Sequence, residues 1–164
     1  MKLFKFLTIA GIMLASAISA YDCNAATTGT VTITGMVPAV CAVVVAPDAG
    51  ATGIADISAG DTNRLIATVT ETCNDPNGYT MTVVGTHSAN HTGLFVDSVS
   101  GASQPFSITY NNVAVPAGGV VTNASSAGIN LARPVKITYA ANPALTPSAG
   151  FTYNETLTFT IAAK

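Results

Sequence analysis

The chain of 164 residues carries few charged side chains, a net charge of -2 and no tryptophan. Only 9% of its residues are Asp, Glu, Lys or Arg, so hydroxyl and amide side chains must cover most of its surface. This weak net charge does not indicate a nucleic acid or an anionic membrane as a partner, because both attract strongly basic surfaces. The length allows one ordinary domain with a buried core after an N-terminal segment is removed.

The start of the chain has the pattern of a secretory signal. Residues 1–6 are basic and apolar, and an apolar run follows at residues 7–18. That run is shorter than the roughly 20 residues that a membrane-spanning helix needs. Small residues then offer two cleavage regions, one after Ala20 and one after Ala25 or Ala26, of which we favour the second. We therefore assign residues 1–25 to a signal peptide and expect no stable membrane insertion once it is removed.

Three cysteines occur in the chain. Cys23 is expected to leave with the signal peptide, so Cys41 and Cys73 remain. An even number of cysteines in an exported protein is typical of a disulfide, because compartments outside the cytosol are oxidising. A metal site needs more ligands than this pair supplies. We therefore predict a disulfide between Cys41 and Cys73.

Apolar and polar residues alternate along most of the chain, which is typical of β-strands with one buried face. Residues 29–37 (GTVTITGMV) alternate in this way, and a continuous apolar stretch follows at residues 40–46. Residues 65–73 give another strand pattern. After a turn signal at residues 74–78, the pattern resumes at residues 79–84, and we predict a β-hairpin there.

Three further strand patterns lie in the second half of the chain. The apolar residues that share a face in each are Phe106, Ile108 and Tyr110; Val135, Ile137 and Tyr139; and Phe151, Tyr153, Leu157, Phe159 and Ile161. Asn111 and Asn112 indicate a tight turn after the first pattern, and only Glu155 breaks the last one, which we treat as a single closing strand. Many short strands, separated by Gly, Pro and Asn and without a helical period, predict an all-β fold, an antiparallel β-sandwich.

Both ends of the predicted sandwich raise the question of a partner. An alternating segment that directly follows a signal peptide has a free end, and such a segment is ordinarily tethered or frayed. The closing strand ends at Ile161, three residues before Lys164, and can leave one of its edges open. An open apolar edge is a template for a strand from another chain. Addition of such a strand is a common mode of peptide recognition.

Four stretches together resemble the chaperone–usher pilins. Residues 29–37 and 41–43 resemble the start of these pilins, where an alternating extension interrupted by Gly leads to a first strand that bears a Cys. Residues 69–83 resemble the region of the second Cys in the spore-coat-U-like branch. Residues 149–161 are similar to the closing strand of both branches. The chain departs from the family at residues 162–164, where many pilins have an aromatic residue.

The resemblance implies an immunoglobulin-like sandwich at residues 38–164 that lacks one strand, preceded by an N-terminal extension at residues 26–37. In that family a periplasmic chaperone lends the missing strand, and an outer-membrane usher exchanges it for the extension of the next subunit. The implied partners are neighbouring pilin subunits, a chaperone and an usher, and the implied location is a cell-surface fimbria that supports adhesion. By this resemblance, the donor strand contains Gly29, Val31, Ile33, Gly35 and Val37, and the acceptor groove lies beside Phe151, Tyr153, Leu157, Phe159 and Ile161.

Two alternatives stay open at this point. Residues 29–37 could form the first strand of their own sandwich, or the chain could be a self-contained secreted sandwich that binds a ligand such as a carbohydrate at its loops. His87 and His91 lie in a polar loop, and no Ser lies in a Gly-x-Ser-x-Gly turn. We therefore expect no enzymatic activity, no metal site and no cofactor.

Overall fold

The computed structural model describes residues 28–52, 54, 56–88, 93–145 and 153–164, and these residues form a nearly all-β structure. Every strand pairing in this part is antiparallel, as predicted. One turn of helix, α1 (Ala49–Thr52), follows the first strand. The strands are β1 (Cys41–Pro47), β2 (Asp61–Cys73), β3 (Tyr79–Gly85), β4 (Gly93–Asp97), β5 (Ser103–Tyr110), β6 (Val113–Ala114), β7 (Val120–Asn123), β8 (Gly128–Tyr139), β9 (Tyr153–Asn154) and β10 (Leu157–Ala163).

The strands belong to two sheets. The larger sheet has the order β1-β2-β8-β5-β4-β9, with β6 paired to β5, and the smaller sheet has the order β10-β3-β7. All of these strands lie in one compact unit, residues 37–164. β1 is the end strand of the larger sheet and β10 is the end strand of the smaller sheet. These two strands lie against each other on one side of the unit. The prediction of an all-β fold with antiparallel sheets is therefore confirmed.

The core consists of alternate residues from both sheets, as the period of two requires. The side chains of the larger sheet fill most of it, and Met81 of the smaller sheet packs among them. The ring of Phe95 lies 4.4 Å from that of Phe106 and 5.7 Å from that of Tyr139, measured between centroids. The buried hydrophobic residues of β5 and β8 are Phe106, Ile108, Tyr110, Val135, Ile137 and Tyr139. The faces that the sequence predicted for these two strands are thus the buried ones.

The predicted tight turn between β5 and β6 is also confirmed. Asn111 and Asn112 connect the two strands, and Tyr110 pairs directly with Val113. The φ angles of the two asparagines are 51° and 63°, in the left-handed region that most side chains avoid. Asparagine tolerates this region better than other non-glycine residues, which is why two-residue hairpins favour it.

The predicted hairpin at residues 74–78 is wrong. β2 and β3 lie in different sheets, so this turn carries the chain across the core instead of folding it back in one sheet. Asp75 accepts a hydrogen bond from the backbone N–H of Asn77 at 2.8 Å. Gly78 has a φ of 91°, and a side chain there would collide with the carbonyl oxygen of Ala124. The Asn, Asp, Pro and Gly residues mark a sharp turn correctly, but the same residues serve a hairpin and a crossing between sheets.

The single closing strand expected from residues 151–161 is two strands in two sheets. Tyr153 and Asn154 pair with β4 in the larger sheet, whereas β10 pairs with β3 in the smaller one. The break falls at Glu155, whose carboxylate accepts hydrogen bonds from backbone N–H groups of Thr86 at 2.8 Å and Leu94 at 3.2 Å. Because Thr86 directly follows β3 and Leu94 belongs to β4, the residue that breaks the alternation ties the crossing to a strand of each sheet.

The disulfide between Cys41 and Cys73 is present, as predicted. The two residues are direct partners in the pairing of β1 with β2 and are 32 positions apart in the sequence. β1 has no other strand partner among the described residues, so the disulfide fixes an end strand of the larger sheet to its neighbour. A disulfide of this kind is typical of proteins that fold in an oxidising compartment.

Replacing both Cys41 and Cys73 by Ser should lower the free energy of unfolding by roughly 3–4 kcal/mol, because the unfolded chain regains the entropy of an open loop. Urea denaturation followed by circular dichroism measures this change. The wild-type chain reduced with dithiothreitol is the control and should show the same loss. A denaturation midpoint that does not move in either sample would contradict the prediction.

Candidate functional site

The end strands of the two sheets, β1 and β10, form an apolar seam with two backbone edges that have no strand partner in the described part of the chain. Within the described residues, β1 pairs only with β2, and β10 pairs only with β3. Each strand therefore keeps one edge whose backbone N–H and C=O groups have no strand partner. β1 and β10 lie against each other at this side of the core. We call this feature the β1/β10 cleft, and its backbone edges are the kind that a further strand can pair with.

The floor of the β1/β10 cleft is apolar and incompletely buried. Val43 of β1 and Leu157, Phe159 and Ile161 of β10 pack against the core but stay half-buried. By contrast, Met81 on the neighbouring strand β3 is fully buried. The ring of Phe159 lies 6.2 Å from the buried ring of Tyr110, centroid to centroid. The end strands thus place inward apolar side chains where a further layer of atoms would complete their burial.

The strands that border the cleft carry apolar and hydroxyl side chains. Neither β1 nor β10 contains an acidic, basic or histidine residue. The outward residues of β10, Thr158 and Thr160, carry hydroxyl groups and are exposed. An apolar floor between two free backbone edges suits an extended peptide with an apolar residue at every second position.

The residues predicted to form the acceptor groove are only partly brought together. Leu157, Phe159 and Ile161 share the inward face of β10, at the cleft. Tyr153 lies on β9, at the far end of the larger sheet from β1, and so does not border the cleft. Phe151 lies outside the described residues. The split of the closing strand at Glu155 explains this difference.

The predicted donor residues belong to a segment with no regular structure of its own. Residues 28–40 form neither helix nor strand. Val31 and Ile33 are 87% and 90% exposed, and Val37 is 84% exposed. No atom approaches within 4 Å of the Cβ position of Gly29 or Gly35. Although the alternation of residues 29–37 is typical of a strand, these residues have no partner strand in the described part of this chain.

A buried carboxylate between the sheets supports the region next to the cleft. Glu71 of β2 is fully buried. One of its oxygens accepts hydrogen bonds from the hydroxyls of Tyr110 and Thr122, both at 2.6 Å. The other accepts from the hydroxyl of Tyr79 at 2.8 Å and from Nε of Arg133 at 3.4 Å. Tyr79 and Thr122 belong to the smaller sheet, so Glu71 links the two sheets through charge-assisted hydrogen bonds.

The environment of Glu71 favours its ionised form. Burial acts to raise the pKa of this carboxyl, but the hydrogen bonds from Thr122, Tyr110 and Tyr79 and the charge of Arg133 outweigh it, so the pKa lies below its ordinary value. Burial and the bond to Glu71 raise the pKa of the Tyr79 and Tyr110 hydroxyls. The tyrosines therefore remain hydrogen-bond donors, and the carboxylate remains an acceptor.

Sequence reasoning missed Glu71 and Val43. Glu71 occupies an inward position of β2, two residues from Val69 and two from Cys73, all three fully buried. A charged residue at such a position must find partners, because an unpaired buried charge is very costly. The position of Glu71 in the alternating pattern therefore indicates a buried charge with partners. The partners themselves could not be predicted, because they lie on strands distant in sequence. Val43 lies inside a continuous apolar stretch. Because apolar and polar residues do not alternate there, the sequence does not indicate which side chains face the core.

The other features singled out in the sequence do not assemble into a site. Nδ1 of His87 lies 3.5 Å from a carboxylate oxygen of Glu155, and His91 lies outside the described residues. Among the residues with a described position, no group of three His, Cys, Asp or Glu side chains could hold a metal ion. None of the helices in that same part of the chain is long and apolar enough to cross a membrane.

A scan against protein-family models finds no match, and a search of curated proteins finds none either.

Replacing Glu71 by Gln should make the chain less stable at pH 7 and less sensitive to acid. The folded-state pKa of Glu71 lies below its ordinary value of 4.5, so its stabilising contribution is complete above that pH and is lost as the pH falls through the folded-state value. At pH 7 we expect the variant to lose about 2–3 kcal/mol, typical of a hydrogen-bonded charged group. Urea denaturation at several pH values between 7 and 3 measures both effects.

A pair of threonine variants provides the control for Glu71. Thr122→Val removes one donor to the carboxylate and should move the acid-induced loss of stability to higher pH. Thr68→Val, on the outward face of β2, should leave the acid transition in place. If the acid transition of Glu71→Gln coincides with that of the wild type, the proposed role of this carboxylate in acid sensitivity is wrong.

Proposed function

We propose that this chain is an exported structural subunit that polymerises into a surface fibre by inserting its N-terminal segment into the cleft of a neighbouring copy. The observation that carries the proposal is the β1/β10 cleft, an apolar opening between two free strand edges. On this interpretation the domain is an immunoglobulin-like sandwich that lacks one strand, as the resemblance to chaperone–usher pilins implies. The cleft is the place of the missing strand.

The donor segment and the cleft have matching patterns. Residues 29–37 place Val31, Ile33 and Val37 on one face, and the floor of β10 also presents apolar side chains at every second position. A strand in the cleft would bury about 300 Å² of apolar surface, a gain of about 7 kcal/mol before the cost of ordering the segment. Gly29 and Gly35, which have no side chain, would fit where the cleft has little space above its floor. Backbone hydrogen bonds to both edges would add to this gain.

Export and assembly follow from the same proposal. Residues 1–25 direct the chain out of the cytosol, and the Cys41–Cys73 disulfide suits an oxidising compartment. An open apolar cleft invites aggregation, so a subunit needs a temporary strand before it meets its neighbour. A periplasmic chaperone and an outer-membrane usher would supply and exchange that strand. The role is structural, and the resulting fibre would support adhesion.

A chain without residues 26–37 tests the donor role. We expect this truncated chain to fold and to remain monomeric, because it keeps the cleft but has no strand to insert. The complete mature chain should polymerise under the same conditions. Size-exclusion chromatography with light scattering distinguishes the two, and circular dichroism reports folding. A truncated chain that unfolds would show that residues 26–37 belong to their own sandwich and would contradict the proposal.

A labelled peptide of residues 26–37 tests the cleft directly. It should bind the truncated chain, as measured by fluorescence polarisation. The peptide with Ile33→Asp should bind about tenfold more weakly or worse, because a charge enters the apolar floor. The matched control, Thr34→Asp, changes a residue on the opposite face and should bind nearly as well as the original peptide. Equal binding by the two variants would contradict the proposed register.

A further inference from the structure

A second opening lies at the other edge of the smaller sheet. It is a cavity of about 390 Å³ between the end of β5, the turn that follows it, β7 and β8. Its lining residues are Tyr110, Asn111, Val113, Val121, Thr122, Asn123, Ala124 and Arg133. We call it the Arg133 pocket. Because β7 and β10 are opposite edges of the three-stranded sheet, this pocket and the β1/β10 cleft are separate features.

The guanidinium of Arg133 is positioned by Glu71. Its Nε lies 3.4 Å from the Glu71 carboxylate, which is fully buried behind the pocket lining. The hydroxyl of Tyr79 also interacts with this guanidinium. The Arg133 side chain is 26% exposed and lines the pocket, so the outer part of its guanidinium is accessible to a small molecule. A guanidinium held from behind in this way can bind a carboxylate through its exposed nitrogens.

The remaining lining is polar, uncharged and partly prearranged. Tyr110 and Thr122 each donate their hydroxyl hydrogen to Glu71, which leaves their oxygen lone pairs as acceptors. Asn111 and Asn123 add amide groups that both donate and accept. Val113 and Val121 supply apolar surface. Hydroxyl groups of a ligand can pair with the amides and hydroxyls, and its C–H groups can contact the valines.

We propose that the Arg133 pocket binds an acidic monosaccharide of the uronic acid class, with its carboxylate on Arg133. The volume lies at the lower end of the range of small-molecule sites, roughly 300–1,000 Å³, and suits a single sugar ring. The lining contains Arg133 and no acidic side chain; although the Glu71 carboxylate behind the lining balances its charge, the planar guanidinium matches a carboxylate better than a neutral or cationic group. The inference is independent of polymerisation, because it involves the edge of the smaller sheet opposite the cleft.

The test is an NMR titration of the ¹⁵N-labelled mature chain, with its disulfide formed, at pH 7 and low salt. Glucuronate and galacturonate should shift the amide signals of residues around Asn111 and Asn123, with a Kd on the order of 1 mM, as for weak single-sugar binding. Glucose and galactose have the same ring without the carboxylate, and acetate has the carboxylate without the ring. Each of these should bind about tenfold more weakly or not at all.

Two variants locate the binding. Arg133→Lys keeps a positive charge for Glu71 but removes the planar fork, and should weaken uronate binding about tenfold. Asn123→Asp places a negative charge at the pocket and should weaken it roughly threefold to fivefold by repulsion. Asn154→Asp is the matched control, because Asn154 is also an exposed strand residue but lies outside the pocket. It should leave binding unchanged.

The outcomes separate the proposal from its competitors. No shifts with either uronate, or shifts elsewhere on the surface, would overturn it. If glucose binds as strongly as glucuronate, the pocket is a neutral-sugar site. If acetate binds as strongly as glucuronate, the pocket is a simple carboxylate site. Either result would also overturn the proposal. The Asn123→Asp substitution does not change a hydrogen-bond partner of Glu71. It therefore tests the pocket even if Arg133→Lys lowers the stability of the domain.

Discussion

The carboxylate of Glu71 is the point at which the two sheets are held together by hydrogen bonds. It lies on the larger sheet and accepts hydrogen bonds from Tyr79 and Thr122 of the smaller sheet, and from Tyr110 and Arg133 of its own. Apolar contacts alone would allow the sheets to slide, since they are not directional. Hydrogen bonds to a fully buried charge have fixed geometry, and breaking any of them leaves a buried group unsatisfied. The spacing and alignment of the sheets are thereby defined.

Both openings of the domain follow from how the sheets are aligned. In the described part of the chain the smaller sheet has three strands and the larger sheet has seven, so the smaller sheet leaves part of the larger one uncovered at both of its edges. At the β10 edge the uncovered surface is apolar and bordered by free backbone, which suits a strand. At the β7 edge it is polar and contains a cation, which suits a small acidic molecule. One architectural property, a narrow sheet on a wide one, thus accounts for both proposed sites and for their different chemistry.

Alternation predicted the inward faces of β5, β8 and β10 and the antiparallel class, because the period of two is a local property of strand geometry. The disulfide was predictable because Cys41 and Cys73 are the two cysteines expected to remain after removal of the signal peptide. The crossing at residues 74–78 was not, since a turn signal does not specify which strand will be paired afterwards. The split at Glu155 left a trace in the pattern, but its cause lies in backbone groups of Thr86 and Leu94, which are remote in sequence. The partners of Glu71 likewise came from strands remote in sequence.

The cleft strands and the proposed donor segment share a property of composition that bears on the environment of the protein. Residues 29–37, β1 and β10 contain no ionisable side chain. Attraction between such surfaces arises from apolar burial and backbone hydrogen bonds, and dissolved ions screen neither of these. A joint made from these segments would therefore lose no attraction to screening by ions, in brine as in dilute fresh water. Its strength would depend instead on temperature, because apolar burial weakens in the cold.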